Sequence, residues 1–419
     1  MIADPPSAPE AELPGRSLAH VRRFALGRAA SVLGWQMVSV AVGWQLYERT
    51  GDPWSLGLVG LVELAPVIAL LIPAGILVDR VPRRNVAMGA GLLFSLAALG
   101  LVVVGRPGVP LAFTYGMLLV VGAARAFQAP ALASLLPELA PADRLTTVNA
   151  WIAATYEMAA IGGPALAGLL IAATGGATTV FALAAICTLG FVALMATLPS
   201  RRPTGSAVPH SAREIFAGFR FIRRTPVYLA AITLDLLAVL LGGAVALLPV
   251  YAKDILAVGP AGLGWLRTAP AAGALLMSLV VTRLPPWQRP GRVLLTVVAG
   301  FGLATIGFGV SRSFALSLMC LFLVGAFDAV SVVIRMTLEQ VLTPDPLRGR
   351  VTAIHFLFIG FSNELGAFES GALAAWIGPV WAVAGGGIGT LLVVGAVIAV
   401  WPELAKLGPL NKLRPSTEH

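Results

Sequence analysis

The chain has 419 residues, 58% of them hydrophobic and only 12% charged, with a mean hydropathy of +0.87. Soluble domains carry roughly 25% charged residues, so most of this chain cannot face water, and soluble, disordered, collagenous and nucleic-acid-binding classes are excluded. The net charge of +9 is accounted for below by where the basic residues fall.

Residues 1–20 are rich in Pro, Ala and Glu and lack a signal-peptide core, so a disordered cytoplasmic tail is expected. Twelve stretches long and apolar enough to cross a bilayer then follow: 24–47, 55–77, 86–105, 111–130, 146–172, 176–198, 228–251, 261–283, 293–311, 314–337, 351–376 and 378–401. They are too long and continuous for barrel strands, and their many glycines and prolines are tolerated in membrane helices. The expected fold is all-α: a polytopic membrane protein whose 12 transmembrane helices form two pseudo-symmetric six-helix bundles, 21–199 and 227–405. A cytoplasmic linker (200–226) joins them, and a cytoplasmic tail (406–419) closes the chain. Within the linker, REIFAGFRFIRR (213–224) is amphipathic and suited to the inner membrane surface. With the N-terminus inside, inner segments hold 21 of the 29 Lys and Arg and outer loops four. That asymmetry places both termini in the cytoplasm and explains the basic balance without a nucleic-acid partner. Cys187 and Cys320 lie in apolar runs, with neither a disulfide framework nor a zinc pattern.

The two halves repeat at offsets of 203–207 residues. LVGLVELAP (58–66) aligns with LGWLRTAP (263–270), VGAARAF (121–127) with VGAFDAV (324–330), and GPALAG (163–168) with SGALAA (370–375). Parallel repeats of this kind place a substrate cavity at their interface near mid-membrane. After the second span, GILVDRVPRR (75–84) resembles the G-x-L-x-D-R-x-G-R-R signature of the major facilitator superfamily. Gly75, Asp79, Arg80, Arg83 and Arg84 match, and Pro82 replaces the usual Gly. The resemblance implies a cytoplasmic clasp that holds the outward-open state. Arg125 in RAFQAPALA (125–133) is similar to the intramembrane Arg of superfamily exporters, and Gly163, Pro164 and Gly168 to their antiporter motif. Segments 136–170 and 361–394 resemble the exporter branch that contains enterobactin (siderophore) exporters and macrolide-efflux proteins. The implied function is proton-coupled efflux of a small organic molecule across the inner membrane by alternating access. A siderophore of enterobactin type is the expected cargo, a macrolide or other drug the alternative, and a non-transporting sensor or scaffold the remaining reading.

A charge near the bilayer centre costs roughly 2.5–3.5 kcal/mol, which directs it toward a cavity or a partner. The repeat pairs Glu157 with Glu364, Arg125 with Asp328, and Glu63 with Arg267. Glu157, Glu364, Asp235 and Asp328 are the candidate proton carriers, since a carboxyl removed from water can hold a proton at neutral pH. Arg125, Phe127, Trp151, Tyr156 and Glu63 are the candidate cavity residues, and Arg125 is expected to face Asp328 across the cavity. Arg335 and Glu339, spaced i,i+4, are expected to pair with each other. Arg267 and Glu369 are expected to reach outward to interfacial water, and His355 to be a passive interfacial residue. GGGIG (385–389) follows no strand and is no dinucleotide site, and no phosphate-binding G-x-x-x-x-G-K-[ST] loop occurs. No catalytic residue, metal or cofactor is expected, and the partners are the cargo, protons and the bilayer, acting on a monomer.

Overall fold

The computed structural model describes residues 17–106, 108–140, 145–200, 212–285 and 287–409. Residues 1–16 and 410–419 of the expected tails and 201–211 of the expected linker therefore lie outside the described residues, whereas residues 18–20, expected in the tail, belong to the first helix. Each of the twelve sequence-marked stretches coincides with a helix long and apolar enough to cross a membrane. The first half comprises α1 (Leu18–Thr50), α2 (Pro53–Arg80), α3 (Arg83–Val104), α4 (Leu111–Leu139), α5 (Leu145–Thr174) and α6 (Thr178–Ala196). A short helix, α7 (Ala212–Arg224), precedes the second half. There the seventh span starts as α8 (Pro226–Leu241) and continues through a 3-10 turn (Ala244–Leu247), α9 (Leu248–Val250) and a π-helical turn (Tyr251–Ile255). The remaining elements are α10 (Gly259–Val281), α11 (Pro290–Val310), α12 (Phe314–Leu342), α13 (Asp345–Ile377), α14 (Pro379–Val400) and the single turn α15 (Pro402–Ala405).

Local sequence sets the turns. Gly51 ends α1 with φ +62, and its N–H caps the Tyr47 carbonyl. Asp52 then caps Trp54 N, with Pro53 opening α2, so two residues reverse the chain. Helix ends alternate between two faces. The near face is the one where α1 begins and α14 ends, and the far face lies opposite.

Helix packing repeats between the halves. In the first, α1 packs on α5 and α6, α3 on α4 and α6, and α2 on α4. In the second, α8 packs on α13 and α14, α11 on α12 and α14, and α10 on α12. These are the same pairs six spans on, as the repeat requires. Helix α7 lies against α13, where Gly218 meets Ile354 and Arg350.

Two crossings join the halves: α2 with α13, and α5 with α10. Both are built on glycine. A Cβ added to Gly57 would stand 3.1 Å from Gly371 Cα, and one added to Gly168 would stand 2.8 Å from Gly264 Cα. Small residues allow such backbone approach, where van der Waals packing replaces the hydrophobic drive missing in lipid. Both crossings lie toward the far face. Across 149–158 of α5, seven of ten residues are exposed, and Ile68, Leu71, Ile72, Ile76 and Leu77 of α2 are exposed as well. A helix exposed nearly all round has left its neighbour on the inner side. The halves therefore touch at the far face and part toward the near face.

Candidate functional site

The parting halves enclose a cavity of about 600 Å³. Its charged residues are set in place by glycines. Gly122, one turn before Arg125 on α4, sits so close to α2 that any Cβ would strike the backbone at Glu63. Gly60 on α2 likewise admits the α13 backbone at Glu364. Glu63 and Glu364 thus flank Arg125 from two helices in different halves.

Arg125 Nη1 donates to Glu63 Oε2 at 3.0 Å and to Glu364 Oε1 at 2.8 Å. Its guanidinium also stacks over Trp35 on α1, 4.8 Å from the ring centroid, a cation–π contact. One cation thus bridges the halves and offsets two carboxylates, a triad carrying net charge −1.

Arg267 on α10 enters the same cavity, donating from Nη2 to Ser39 Oγ at 3.0 Å and from Nη1 to the Val245 carbonyl at 3.4 Å. No carboxylate lies within ion-pair distance of it among the described residues, although Glu364 and Glu63 act on it electrostatically. The expectation that Arg267 reaches out to interfacial water is corrected. It stands nine residues into its helix, about 12 Å deep, and turns inward. Val245 belongs to the broken seventh span, where Gly242, Gly243 and Val245 line the cavity. At the break, Gly243 abuts Gly366 and Ser370 of α13 so closely that a Cβ would meet both at 2.5 Å. Broken spans at mid-depth expose backbone groups to a cavity.

Arg125 does not face Asp328 as expected, because the two carboxylates nearer to it take its donors. Asp328 lines the cavity but approaches Arg335, one helix face along at 3.9 Å. Arg335 in turn pairs with Asp235 on α8 rather than with Glu339. Glu339 instead accepts from Tyr228 at 2.9 Å, from Thr352 and from His355. His355 is buried and bonded, which corrects its reading as a passive interfacial residue. Of the remaining expected cavity residues, Tyr156 lines the wall, whereas Phe127, Trp151 and Glu157 do not. Phe127 packs with the near-face core, and Trp151 is exposed. Trp35 is a cavity residue that sequence reasoning misses, since nothing in its local pattern distinguishes it from an interfacial tryptophan.

The motif arginines act within the first half. Arg83 donates to Glu138 Oε1 at 2.6 Å and to the Ser134 carbonyl, tying α3 to α4, and Arg84 reaches the Leu198 carbonyl at 2.6 Å beyond α6. Asp79 has no ion pair or hydrogen bond among the described residues, Arg80 is exposed, and Gly75 faces open space. Gly163 seats α5 against Gln36 of α1, while Pro164 and Gly168 form the crossing with α10.

Comparison with known proteins agrees with this architecture. The chain is 28% identical to the enterobactin exporter EntS of Escherichia coli O1:K1 / APEC over 387 residues, 92% of each chain. Among solved structures, a peptide transporter POT in complex with sulfate superposes with TM-score 0.72 at 14% identity, covering 94% of this chain and 98% of that one. A bacterial homolog to the human lysosomal transporter Spinster gives 0.69 at 12% identity, with 93% and 96% covered. The family profile described as transmembrane secretion effector matches residues 20–415. The chain therefore belongs to that family, the transmembrane secretion effectors of the major facilitator superfamily, and is a multi-pass membrane efflux transporter rather than an enzyme.

Proposed function

We propose that the protein exports a small acidic, aromatic molecule of the catecholate siderophore class by alternating access, in exchange for protons. The observation that carries this reading is Arg267, a cavity cation held, among the described residues, by a hydroxyl and a carbonyl and by no carboxylate. An acidic cargo offers it the carboxylate-like partner it lacks, and Trp35, Tyr156 and Phe301, which line the same cavity, offer aromatic faces. Similarity to enterobactin exporters supports the same class. The excess of basic residues at the near face supports a cytoplasmic near side, so the cavity described here takes cargo from the cytoplasm. Between cargoes, Glu63 and Glu364 keep Arg125 in place and yield it to the incoming acid.

The test uses the full chain in everted membrane vesicles with an imposed proton gradient and enterobactin as probe. Wild-type vesicles should accumulate enterobactin. Arg267→Ala should raise the half-saturating concentration about 10–100-fold, the loss of one charge-assisted hydrogen bond of roughly 1.5–3 kcal/mol. No accumulation by the wild type, with macrolide resistance conferred instead, would overturn the cargo assignment in favour of the apolar walls.

A further inference from the structure

We propose that Asp235, Asp328, Arg335, His355 and Glu339 form the protein's proton-binding site, a cluster that runs from Asp328 on the cavity wall away from the Arg125 triad. The inference rests on the efflux reading only for the direction of exchange. A proton added to Glu63 or Glu364 would remove a competitor for Arg125 and strengthen the hold on an acidic cargo. Exchange needs the opposite sign: the proton must disfavour cargo. The central triad therefore has the wrong polarity for antiport, and the driving proton belongs elsewhere.

The second half carries a suitable place. Asp328, Ser331, Arg335 and Glu339 occupy one stripe of α12, spanning about 16 Å from the cavity toward the near face. Arg335 is 2% exposed. Its donors go to Asp235 on α8, to Ser331 Oγ at 3.2 Å and to His355 Nε2 at 3.4 Å, with Asp328 at 3.9 Å. A guanidinium only donates, so His355 Nε2 accepts and Nδ1 carries the hydrogen directed at Glu339. With His355 neutral, one cation faces three carboxylates. Such an excess of buried negative charge is costly, and taking up a proton relieves it. The ionisable groups here are Asp235 and Tyr228 from α8, Asp328, Arg335 and Glu339 from α12, and His355 from α13. Of the helices packed around them, α10 brings Arg267 to the cavity that Asp328 also lines, and α11 carries Arg292 at its start. Among the described residues neither forms an ion pair or hydrogen bond with the cluster, and α14 has no ionisable residue.

Asp328 lies on the cavity wall, and a crevice of about 10 Å³, lined by Asp235, Asp328 and Ser331, continues inward from it. A proton from cavity water adds to a carboxylate oxygen of Asp328 and passes to Asp235. The neutral acid gives up its ion pair with Arg335, which keeps His355 and Asp328. Loosened from α12, α8 moves its own upper end, the break at Gly242 and Gly243. That segment supplies the Val245 carbonyl to Arg267, so the proton reaches the cargo site through α8.

The test needs no cargo. Spin labels replace Asn149 near the start of α5 and Arg283 just after α10, both exposed and in different halves, in the full chain without its two native cysteines. Their distance distribution is measured by pulsed electron resonance between about pH 5 and pH 9. The wild type should shift its populations with pH. Asp235→Asn and Asp328→Asn should each abolish the shift, while Glu157→Gln, an intramembrane carboxyl off the cavity wall, should retain it. Should Asp235→Asn misfold around an unpaired Arg335, the charge-neutral Asp235→Asn/Arg335→Gln chain is measured instead, with the same loss expected. A wild type without any pH shift, or a shift surviving in the Asp235 variants, overturns the proposal. Enterobactin counterflow in the same preparations reads the cargo assignment separately. Its absence from the wild type would remove that cargo and leave the pH result standing.

Discussion

One guanidinium, that of Arg125, is surrounded by two carboxylates and an indole face supplied by α2, α13 and α1. Replacing it with Ala leaves Glu63 and Glu364 facing each other without a cation. Breaking a buried pair costs about 3–5 kcal/mol, and the side chain's 32% exposure reduces this through solvent screening. We expect Arg125→Ala to lower stability by about 1–3 kcal/mol, seen as a lower melting temperature in detergent. Adding Glu364→Gln should recover part of that loss, and a double-mutant cycle that is purely additive would show that the pair is uncoupled. Glu157, by contrast, stands off the cavity wall, and Glu157→Gln should keep proton-driven efflux within about twofold, measured in vesicles as an initial rate. The repeat alignment gives Glu157 and Glu364 equal standing because it compares positions along two chains. It does not register that α5 and α13 turn different faces inward at that depth.

Among the described spans, the seventh is the one whose course passes through 3-10 and π-helical turns. Gly243 fits against Gly366 and Ser370 only because it has no side chain. Gly243→Val should overpack this junction, costing about 1–3 kcal/mol, and should abolish efflux even where the protein still reaches the membrane. Normal efflux with normal expression would show that the break is incidental. The twelve spans are readable from sequence because a bilayer imposes one length and one polarity on every crossing helix. The helix break is signalled only by Gly242–Gly243, a pair that occurs harmlessly elsewhere. The stripe Asp328, Ser331, Arg335 and Glu339 is equally visible in helical spacing. Its partners are not, since spacing within α12 says nothing of what α8 and α13 present to it. Spacing alone therefore matches Arg335 to Glu339, its neighbour on the same helix, whereas Asp235 on another helix takes its charge. Tertiary contacts override local ones wherever charges are buried, because an unpaired buried charge costs more than an i,i+4 pair returns.

Taken as a whole, the molecule is closed at the far face and open at the near face. Tyr47 of α1 donates to Asp254 near the far end of the seventh span, with Lys253 above the Tyr47 ring, adding a polar fastening between the halves there. Asp79, at the near face and without a partner among the described residues, is free in this arrangement to take one when that face closes. Asp79→Asn should then favour the near-open population, read as a larger fraction of long distances between labels at positions 149 and 283. A ligand or proton changes such a population only through its differential affinity for the two arrangements, so the substitution should also change the pH midpoint of the same measurement.

The glycine crossings have a mechanical consequence. Because Gly57–Gly371 and Gly168–Gly264 lie near one end of helices that traverse about 30 Å of hydrocarbon, any tilt of one half about them has a long lever arm toward the near face. Tilting one half by about 10° there displaces its opposite end by about 5 Å over that length. Extra thickness at these crossings is multiplied in the same proportion at the mouth. The width of the portal that admits cargo is thus set by four residues that never touch it.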